Sequence, residues 1–355
     1  GKQDMEPNIQ DNQGDVDSGL PEGMQIVPDQ NPLQSVNAED VNESNEHAYD
    51  LNRIDSIVSL LKFGNDELIK KEINKHILGL MSKDEFCKLY NVVFLFDVVN
   101  SISRVHAEKI YSSIQGFEEK KDIILFLRSR GGKVEPSYLI SQLCNKFKRN
   151  KFIVSIPAEA KSAATLLSFG ADEIHMGPMS ELGPIDLQVD GLPLQSISGA
   201  LEKIAAIVQK FPESSDMFAK YLTDNLNIGL IGYYDRVSES ASQYAQMLLK
   251  GKHDDNTRSV EEIAAHFTNH YKDHGFVIDV AESTSILGEY MVKDNTQIYK
   301  SGSKVLEFFT NIEFTFALLG QRKSIVFVGN SCEIMTGNSF LGGVKDEASF
   351  RNIKS

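Results

Sequence analysis

The 355-residue chain is long enough for one large domain or two ordinary ones, and its 41% apolar content suffices for a sizeable core. The formal net charge of −14 is uneven, because residues 1–50 hold twelve Asp and Glu against one Lys and the rest of the chain carries only −3. A chain without a basic excess lacks the electrostatic footprint of a nucleic-acid-binding protein, so we exclude DNA and RNA as expected partners.

Three cysteines, Cys87, Cys144 and Cys332, lie far apart and form no C-x-x-C pair. This pattern argues against a disulfide framework and against a structural zinc site. There is no run of 18 apolar residues to predict a transmembrane segment, and the acidic first 30 residues are the reverse of a signal peptide. We therefore expect a cytoplasmic protein.

Residues 1–48 are rich in Asp, Glu, Asn, Gln, Gly and Pro and have no apolar periodicity. Such a segment cannot bury enough surface to offset its ordering entropy, so we expect a disordered acidic arm. Two roles remain open for this arm: a solvating tail, or a segment that docks a regulatory partner or inhibits the protein. The next stretch, 49–90, has apolar residues at helical spacing and predicts a helical extension.

From residue 91 the pattern alternates between strands and helices. Short apolar runs predict strands at "NVVFLFD", "IILFLRS", "KFIVSIP" and "DEIHMGP", and amphipathic stretches such as "EPSYLISQLCNKFKR" and "SAATLLSFGA" predict helices between them. The alternation predicts an α/β protein with a largely parallel sheet, and the uninterrupted apolar strands predict a sheet covered on both faces.

Beyond Gly191 the chain returns to helical patterns. Four amphipathic stretches lie between residues 194 and 270, "HGFVIDVAESTSILG" predicts a strand, a turn and a helix, and a final helix precedes the apolar strand "KSIVFVGN". No internal repeat is visible.

Three features follow predicted strands, where open α/β sheets build their sites. "RSRGG" (128–132) places a glycine pair where backbone N–H groups can bind an oxyanion, although such a pair is often only a turn. "PAEAKSAAT" (157–165) places Ser162 at the start of a helix, either as an N-cap or as a nucleophile near free amides. "GPMSELGPID" (177–186) forms a Gly/Pro-punctuated loop that ends at Asp186.

Together, "RSRGG" and "KSAATLLSFGADEIHMGPMSELGPIDLQ" resemble the serine dehydrogenase proteinase family, which is related to signal peptide peptidase A and the Clp protease subunit. The resemblance covers residues 90–290 and implies a Clp/crotonase-like α/β fold with ββα units over 91–290 and a C-terminal extension over 291–355. It implies that Ser162 is the nucleophile and that amides of Gly131, Gly132 and Ala163 form the oxyanion hole. This chemistry needs no cofactor and no metal.

The sequence departs from the family at two positions, where Arg130 replaces the usual Pro and Ala164 the usual Gly. Neither change removes a backbone N–H, but the methyl group of Ala164 can narrow the site. The pair His266 and His270 has i, i+4 spacing and lacks a third metal ligand.

The base that activates the serine stays open at this point. The Clp protease subunit has a histidine about 25 residues after its serine, whereas this chain has Asp186 there and His274 near the position of the Clp aspartate. Ser162, His274 and Asp186 then form a triad with the acid and base positions exchanged. The competing Ser–Lys dyad would use Lys203, Lys210 or Lys220, since signal peptide peptidase A has its lysine some fifty residues after the serine.

We therefore expect a homo-oligomeric serine endopeptidase that acts on peptide or protein substrates. Two alternatives remain: a catalytically degenerate scaffold or sensor, and a crotonase-type acyl-CoA enzyme that holds a thioester without forming a serine adduct.

Overall fold

The computed structural model describes residues 49–185, 188–189, 192–225, 228–252, 258–271 and 273–337. The helices are α1 (Ile54–Phe63), α2 (Asp66–Lys83), α3 (Arg104–Gln115), α4 (Val134–Phe147), α5 (Ala163–Ser168), α6 (Leu194–Lys210), α7 (Ser215–Asn225), α8 (Ile228–Leu249), α9 (Val260–Ala265), α10 (Val280–Leu287) and α11 (Gln297–Leu318). Single 3₁₀ turns span Cys87–Leu89 and Pro212–Ser214, and a π-helical turn spans His266–His270.

The strands are β1 (Asn91–Asp97), β2 (Ile123–Ser129), β3 (Phe152–Ser155), β4 (Glu159–Ala160), β5 (Glu173–Met176), β6 (Glu181–Leu182), β7 (Gln188–Val189), β8 (Leu192–Pro193), β9 (Val292–Asp294), β10 (Lys323–Gly329) and β11 (Ser331–Thr336). The main sheet has the order β11-β10-β1-β2-β3-β5-β9, and β4 joins β2 to β6. Strands β1, β2, β3, β5 and β9 run parallel, whereas β10 is antiparallel to both β1 and β11. The predicted α/β class with a mostly parallel sheet is confirmed.

Apolar layers cover both faces of this sheet, which is why β1 and β2 read as continuous apolar runs. One layer includes buried residues of α3, α4, α5 and α8, such as Ile110, Ile140 and Leu166. The other layer joins residues of α1, α2 and α11, such as Leu60 and Phe309. The segments 49–90 and 291–337 thus share one apolar layer, and their proposed boundaries as separate extensions stay predictions.

Most elements from residue 54 to residue 176 match their sequence patterns, and so do β10 and the helices after residue 194. The strand expected near "FVI" is only an isolated antiparallel bridge from Ile278 to Leu182. The short strands β4, β6 and β9 and the edge strand β11 were not predicted. The expected acidic arm, 1–48, lies outside the described residues.

The carboxyl ends of three adjacent strands meet in one row. Asp97 of β1 is in register with Ser129 of β2, and Ser129 is in register with Ala160 of β4. Strand β2 continues directly into "RSRGG" and β4 into the segment with Ser162, both singled out by the sequence, and β1 continues into the loop 98–103, so the row brings these three segments to one edge of the sheet.

Candidate active site

Ser162 occupies a sharp turn between β4 and α5. Its backbone has φ 52° and ψ −119°, a conformation that non-glycine residues seldom adopt. The hydroxyl makes no capping hydrogen bond to α5, and the residue is 6% exposed. The prediction that the Ser162 hydroxyl caps α5 is therefore wrong. A strained serine between a strand and a helix has the backbone arrangement of a nucleophile elbow.

The turn that contains Gly131 and Gly132 packs directly against Ser162. A Cβ atom on Gly131 would lie 2.8 Å from the Cβ of Ser162 and 2.7 Å from the carbonyl oxygen of Lys161. Both glycines have positive φ, 100° and 155°. Close contact and left-handed backbone together explain why the sequence has glycine at both positions.

The backbone amides of this turn differ in their partners. The N–H of Gly131 donates to Ser129 Oγ at 3.1 Å. Within the described part of the chain, no acceptor engages the N–H of Gly132 or of Ala163. The N–H of Gly132 on the glycine turn and the N–H of Ala163 at the start of α5 therefore remain available as donors beside the serine.

The two departures from the family pattern take different positions. Arg130 is exposed at the tip of the glycine turn, whereas Ala164 is fully buried in the apolar layer. The carbonyl oxygen of Ala164 accepts a hydrogen bond from Ser168 Oγ.

The loop after β5 is fastened to α5 by a single threonine. The hydroxyl of Thr165 lies 2.8 Å from the carbonyl oxygens of Ala160 and Gly183, to either of which it can donate, and it accepts from the N–H of Gly183 at 3.1 Å. The N–H of Ile185 donates to the carbonyl of Phe267 in the π-helical turn. Asp186, the expected third member of the triad, lies outside the described residues.

Lys161 connects the serine turn to the segment that contains His274. Its ammonium group lies 3.0 Å from Glu181 Oε1 and donates to the carbonyl oxygen of Phe276 at 3.2 Å. From its place next to the serine, Lys161 is expected to contact solvent or a carboxylate; the pairing with Glu181 confirms the carboxylate contact, and the bond to Phe276 adds a structural role. His274 itself is half-buried in the turn that precedes Phe276.

The three lysines of the competing dyad are exposed. Lys203 and Lys210 lie on α6, and Lys220 lies on α7. Among the side chains of α6 and α7 that the structure describes, none is buried. The main contacts of these helices are with each other, with β8 and with the 3₁₀ turn between them.

A second buried cluster, which sequence reasoning missed, lies at the end of β1. His106 Nε2 is 3.0 Å from Asp97 Oδ2, and His106 Nδ1 accepts from the N–H of Ser103 at 3.1 Å. Burial alone would raise the pKa of Asp97, but hydrogen bonds from His106 and Asn100 outweigh it and lower the pKa overall. The available signal was a histidine three residues after a serine at a helix start, where Glu or Gln is usual.

The histidine pair considered as a metal site forms a different kind of cluster. The rings of His266 and His270 stack at 4.2 Å, and His266 Nε2 lies 3.2 Å from the hydroxyl of Tyr271, which donates to Glu282. Burial lowers the pKa of His266. Across the described residues, no group of three or more His, Cys, Asp or Glu is placed to bind a metal ion.

A parallel α/β sheet that presents a strained serine beside a glycine turn has the layout in which α/β serine hydrolases hold their nucleophile. Residues 67–330 match the family of ClpP-like SDH-type serine proteinases, and the chain belongs to this family. The ClpP-like fold expected from the resemblance is confirmed. The match extends beyond residues 90–290 at both ends and includes most of α2 together with α11 and β10.

Two proteins of Methanocaldococcus jannaschii are similar to this chain. Uncharacterized protein MJ1495 is 26% identical over 241 residues, which is 68% of this chain and 74% of that protein. Uncharacterized protein MJ0137 is 26% identical over 133 residues, which is 38% of this chain and 45% of that protein. No helix in the described ranges combines the length and apolar character needed to cross a bilayer.

Proposed function

We propose that this protein is a serine peptidase that hydrolyses peptide or protein substrates through an acyl-enzyme on Ser162. The observation that supports it most is the backbone of Ser162, held at φ 52° against a glycine turn with its hydroxyl not used as a helix cap. Strained positions of this kind persist where the surrounding structure enforces them, and they concentrate at reactive sites.

In this reaction the Ser162 oxygen attacks the substrate carbonyl while a base accepts the hydroxyl proton. The oxyanion that forms accepts hydrogen bonds from the N–H groups of Gly132 and Ala163, which the described structure leaves unclaimed. The C–N bond then breaks as the base returns the proton to the leaving amine, and water hydrolyses the acyl-enzyme by the same steps in reverse. The Gly131 amide already serves Ser129, so its contribution is to hold the turn.

We propose His274 as the base and Asp186 as its orienting carboxylate. In support, Lys161 directly precedes the serine and donates to the Phe276 carbonyl, which ties the turn that contains His274 to the serine turn. The alternative bases Lys203, Lys210 and Lys220 are exposed. A catalytic lysine needs a fixed position within hydrogen-bond reach of the serine, and exposed side chains on these helices have no burial that would fix one.

We further propose that the protein acts as a homo-oligomer. Apolar side chains on α6 and α7, including Ile207, Met217 and Tyr221, are exposed in the single chain, and so is Phe211 between the two helices. Exposed apolar surface of this extent suits contact with another copy of the chain. A cytoplasmic location and a regulatory partner for the acidic arm remain predictions from the sequence.

A fluorophosphonate probe tests the nucleophile. We expect one adduct, found by mass spectrometry on the peptide that contains Ser162, and its loss in Ser162→Ala. Ser168→Ala is the matched control, because Ser168 lies on the same short helix and, in the described contacts, its hydroxyl donates only to the Ala164 carbonyl. Cleavage of a fluorogenic peptide library should disappear in the same variant that loses the adduct.

Absence of an adduct in the intact wild-type protein, and in a variant lacking residues 1–48, would contradict the proposal and favour a non-catalytic scaffold. If the adduct forms, labelling rates of His274→Ala, Lys203→Ala, Lys210→Ala and Lys220→Ala identify the base. Loss of labelling only in a lysine variant would contradict the role of His274.

A further inference from the structure

We infer that Asp97 and His106 are positioning residues, which hold the glycine turn so that the Gly132 amide faces the reacting carbonyl. This inference rests on the proposed function for its catalytic consequence. The contacts alone support the inference that Asp97 and His106 fix the backbone of the glycine turn.

Backbone hydrogen bonds connect the loop after β1 to the glycine turn. The N–H of Ile102 donates to the Gly131 carbonyl, and the N–H of Lys133 donates to the Ile102 carbonyl, both at 2.9 Å. A Cβ on Gly132 would lie 2.1 Å from the nitrogen of Ile102. The two backbones are in direct contact, so a displacement of Ile102 displaces Gly132.

Ile102 is held in place by the two ends of its loop. The loop leaves β1 at Asp97 and enters α3 after Ser103, so it is anchored at both ends of a six-residue span. At its start, Asp97 Oδ1 accepts from the N–H groups of Val99 and Asn100. At its end, His106 Nδ1 accepts from the N–H of Ser103.

The His106 side chain joins the anchor at the end of the loop to Asp97, the anchor at its start. Because Nδ1 of His106 acts as an acceptor, its proton sits on Nε2 and is donated to Asp97 Oδ2 at 3.0 Å. Asp97 is 2% exposed and His106 is 6% exposed, so water does not compete for this bond. A glutamate in place of His106 would cap α3 equally well but would meet Asp97 as a second carboxylate.

Two substitutions of His106 therefore separate positioning from capping. Gln and Glu both accept from the N–H of the residue before a helix, but Gln always has an N–H donor for Asp97, whereas Glu has a donor only after it binds a proton. We expect His106→Glu to lower the limiting rate of fluorophosphonate labelling at Ser162 by roughly 10- to 100-fold with little change in probe affinity. His106→Gln should retain most of the rate, and equal effects of the two variants would overturn the inference.

The double variant Asp97→Asn with His106→Glu reverses the polarity of the pair, because Asn can donate to Glu. We expect it to recover part of the labelling rate, and it keeps the test decisive if His106→Glu alone does not fold. Ser301→Ala is the stability control, since it removes a buried hydrogen bond to Asp84 on the other face of the sheet. It should change the melting temperature without slowing labelling.

Hydrogen exchange separates this inference from the proposed function. We expect faster exchange in peptides covering 98–103 and 130–135 for His106→Glu, and no such change for His106→Gln or Ser301→Ala. If wild-type protein gives no Ser162 adduct, the proposed function fails while exchange still decides whether the pair holds the turn. Unchanged exchange in His106→Glu, measured on folded protein, would overturn the inference whatever the labelling shows.

Discussion

Helices α6 and α7 follow the serine turn in the chain, after strands β5 to β8, and the two regions differ in how far their side chains are buried. Around the serine, Ser129, Ala163, Ala164 and Thr165 are fully buried, and several backbone groups have fixed partners. On α6 and α7, none of the described side chains is buried, although both helices have an amphipathic pattern.

This difference separates the proposed nucleophile and amides from the lysines proposed as an alternative base. The serine turn owes its shape to strand ends, two glycines and one threonine. The helices that contain Lys203 and Lys220 have little packing that would hold an ammonium group in place. A base held within hydrogen-bond distance of the serine is therefore better supplied by the turn with His274 than by these helices as the single chain presents them.

The largest expected effect comes from Gly131→Ala, which adds a methyl group where the glycine turn contacts Ser162. The new methyl group would lie 2.7 Å from the Lys161 carbonyl oxygen at a residue with φ 100°. Backbone strain and overpacking together should lower the free energy of unfolding by about 2–5 kcal/mol. Chemical denaturation measures this, and labelling of Ser162 should be lost in the fraction that remains folded. Full stability with normal labelling would mean that the glycine turn does not touch the serine.

Thr165→Val sharpens the comparison by removing polar contacts while keeping the shape of the side chain. The N–H of Gly183 would lose its buried acceptor, and whichever carbonyl takes the hydroxyl proton, that of Ala160 or that of Gly183, would lose its donor. We expect a loss of about 2–3 kcal/mol in the free energy of unfolding. Thr310→Val on α11 is the matched control, because the Thr310 hydroxyl bonds only a helix carbonyl at an exposed position and should cost far less. Equal losses in the two variants would contradict this account.

The sheet and its flanking helices were predictable because their apolar patterns are long and regular. Strand β1 appears in the sequence with the same bounds as in the structure, and β2, α4 and α11 overlap their predicted segments. The two-residue strands β4 and β6 have no pattern of their own, since each exists only through pairing with its neighbours. Elements this short are set by tertiary contacts, which a local pattern does not contain.

The candidate site was predictable only where local conformation decides it. A serine after a strand and a glycine pair after its neighbour are visible in the sequence, and the structure places them in contact. The role of Lys161 depends on Glu181 and Phe276, which are 20 and 115 residues away. The link between Asp97 and His106 required the knowledge that α3 turns back over the end of β1.

Lys161→Met tests which region provides the base. It should lower the free energy of unfolding by about 1–2 kcal/mol, because a charge-assisted contact to Glu181 and bonds to two carbonyls are lost at a largely buried side chain. If His274 is the base, labelling of Ser162 should slow as well, since the turn that contains it loses its connection to the serine. Unchanged labelling with reduced stability would instead favour a lysine from α6 or α7. Lys151→Met, which breaks the exposed pair with Glu173, is the control.

The smallest effect on the free energy of unfolding is expected from Gly199→Ala on α6, the same type of substitution that should be most destabilising at Gly131. A Cβ at Gly199 would meet nothing within 4 Å, and the residue lies inside a helix, where alanine is favoured over glycine. Gly199→Ala should therefore raise the free energy of unfolding by about 0.5–1 kcal/mol and leave labelling unchanged. Denaturation at several protein concentrations checks this and also probes the proposed oligomer. A loss of stability that grows with protein concentration would show that Gly199 lies in close contact with another copy of the chain. Helix α6 would then be as tightly packed in the assembly as the serine turn is in the single chain.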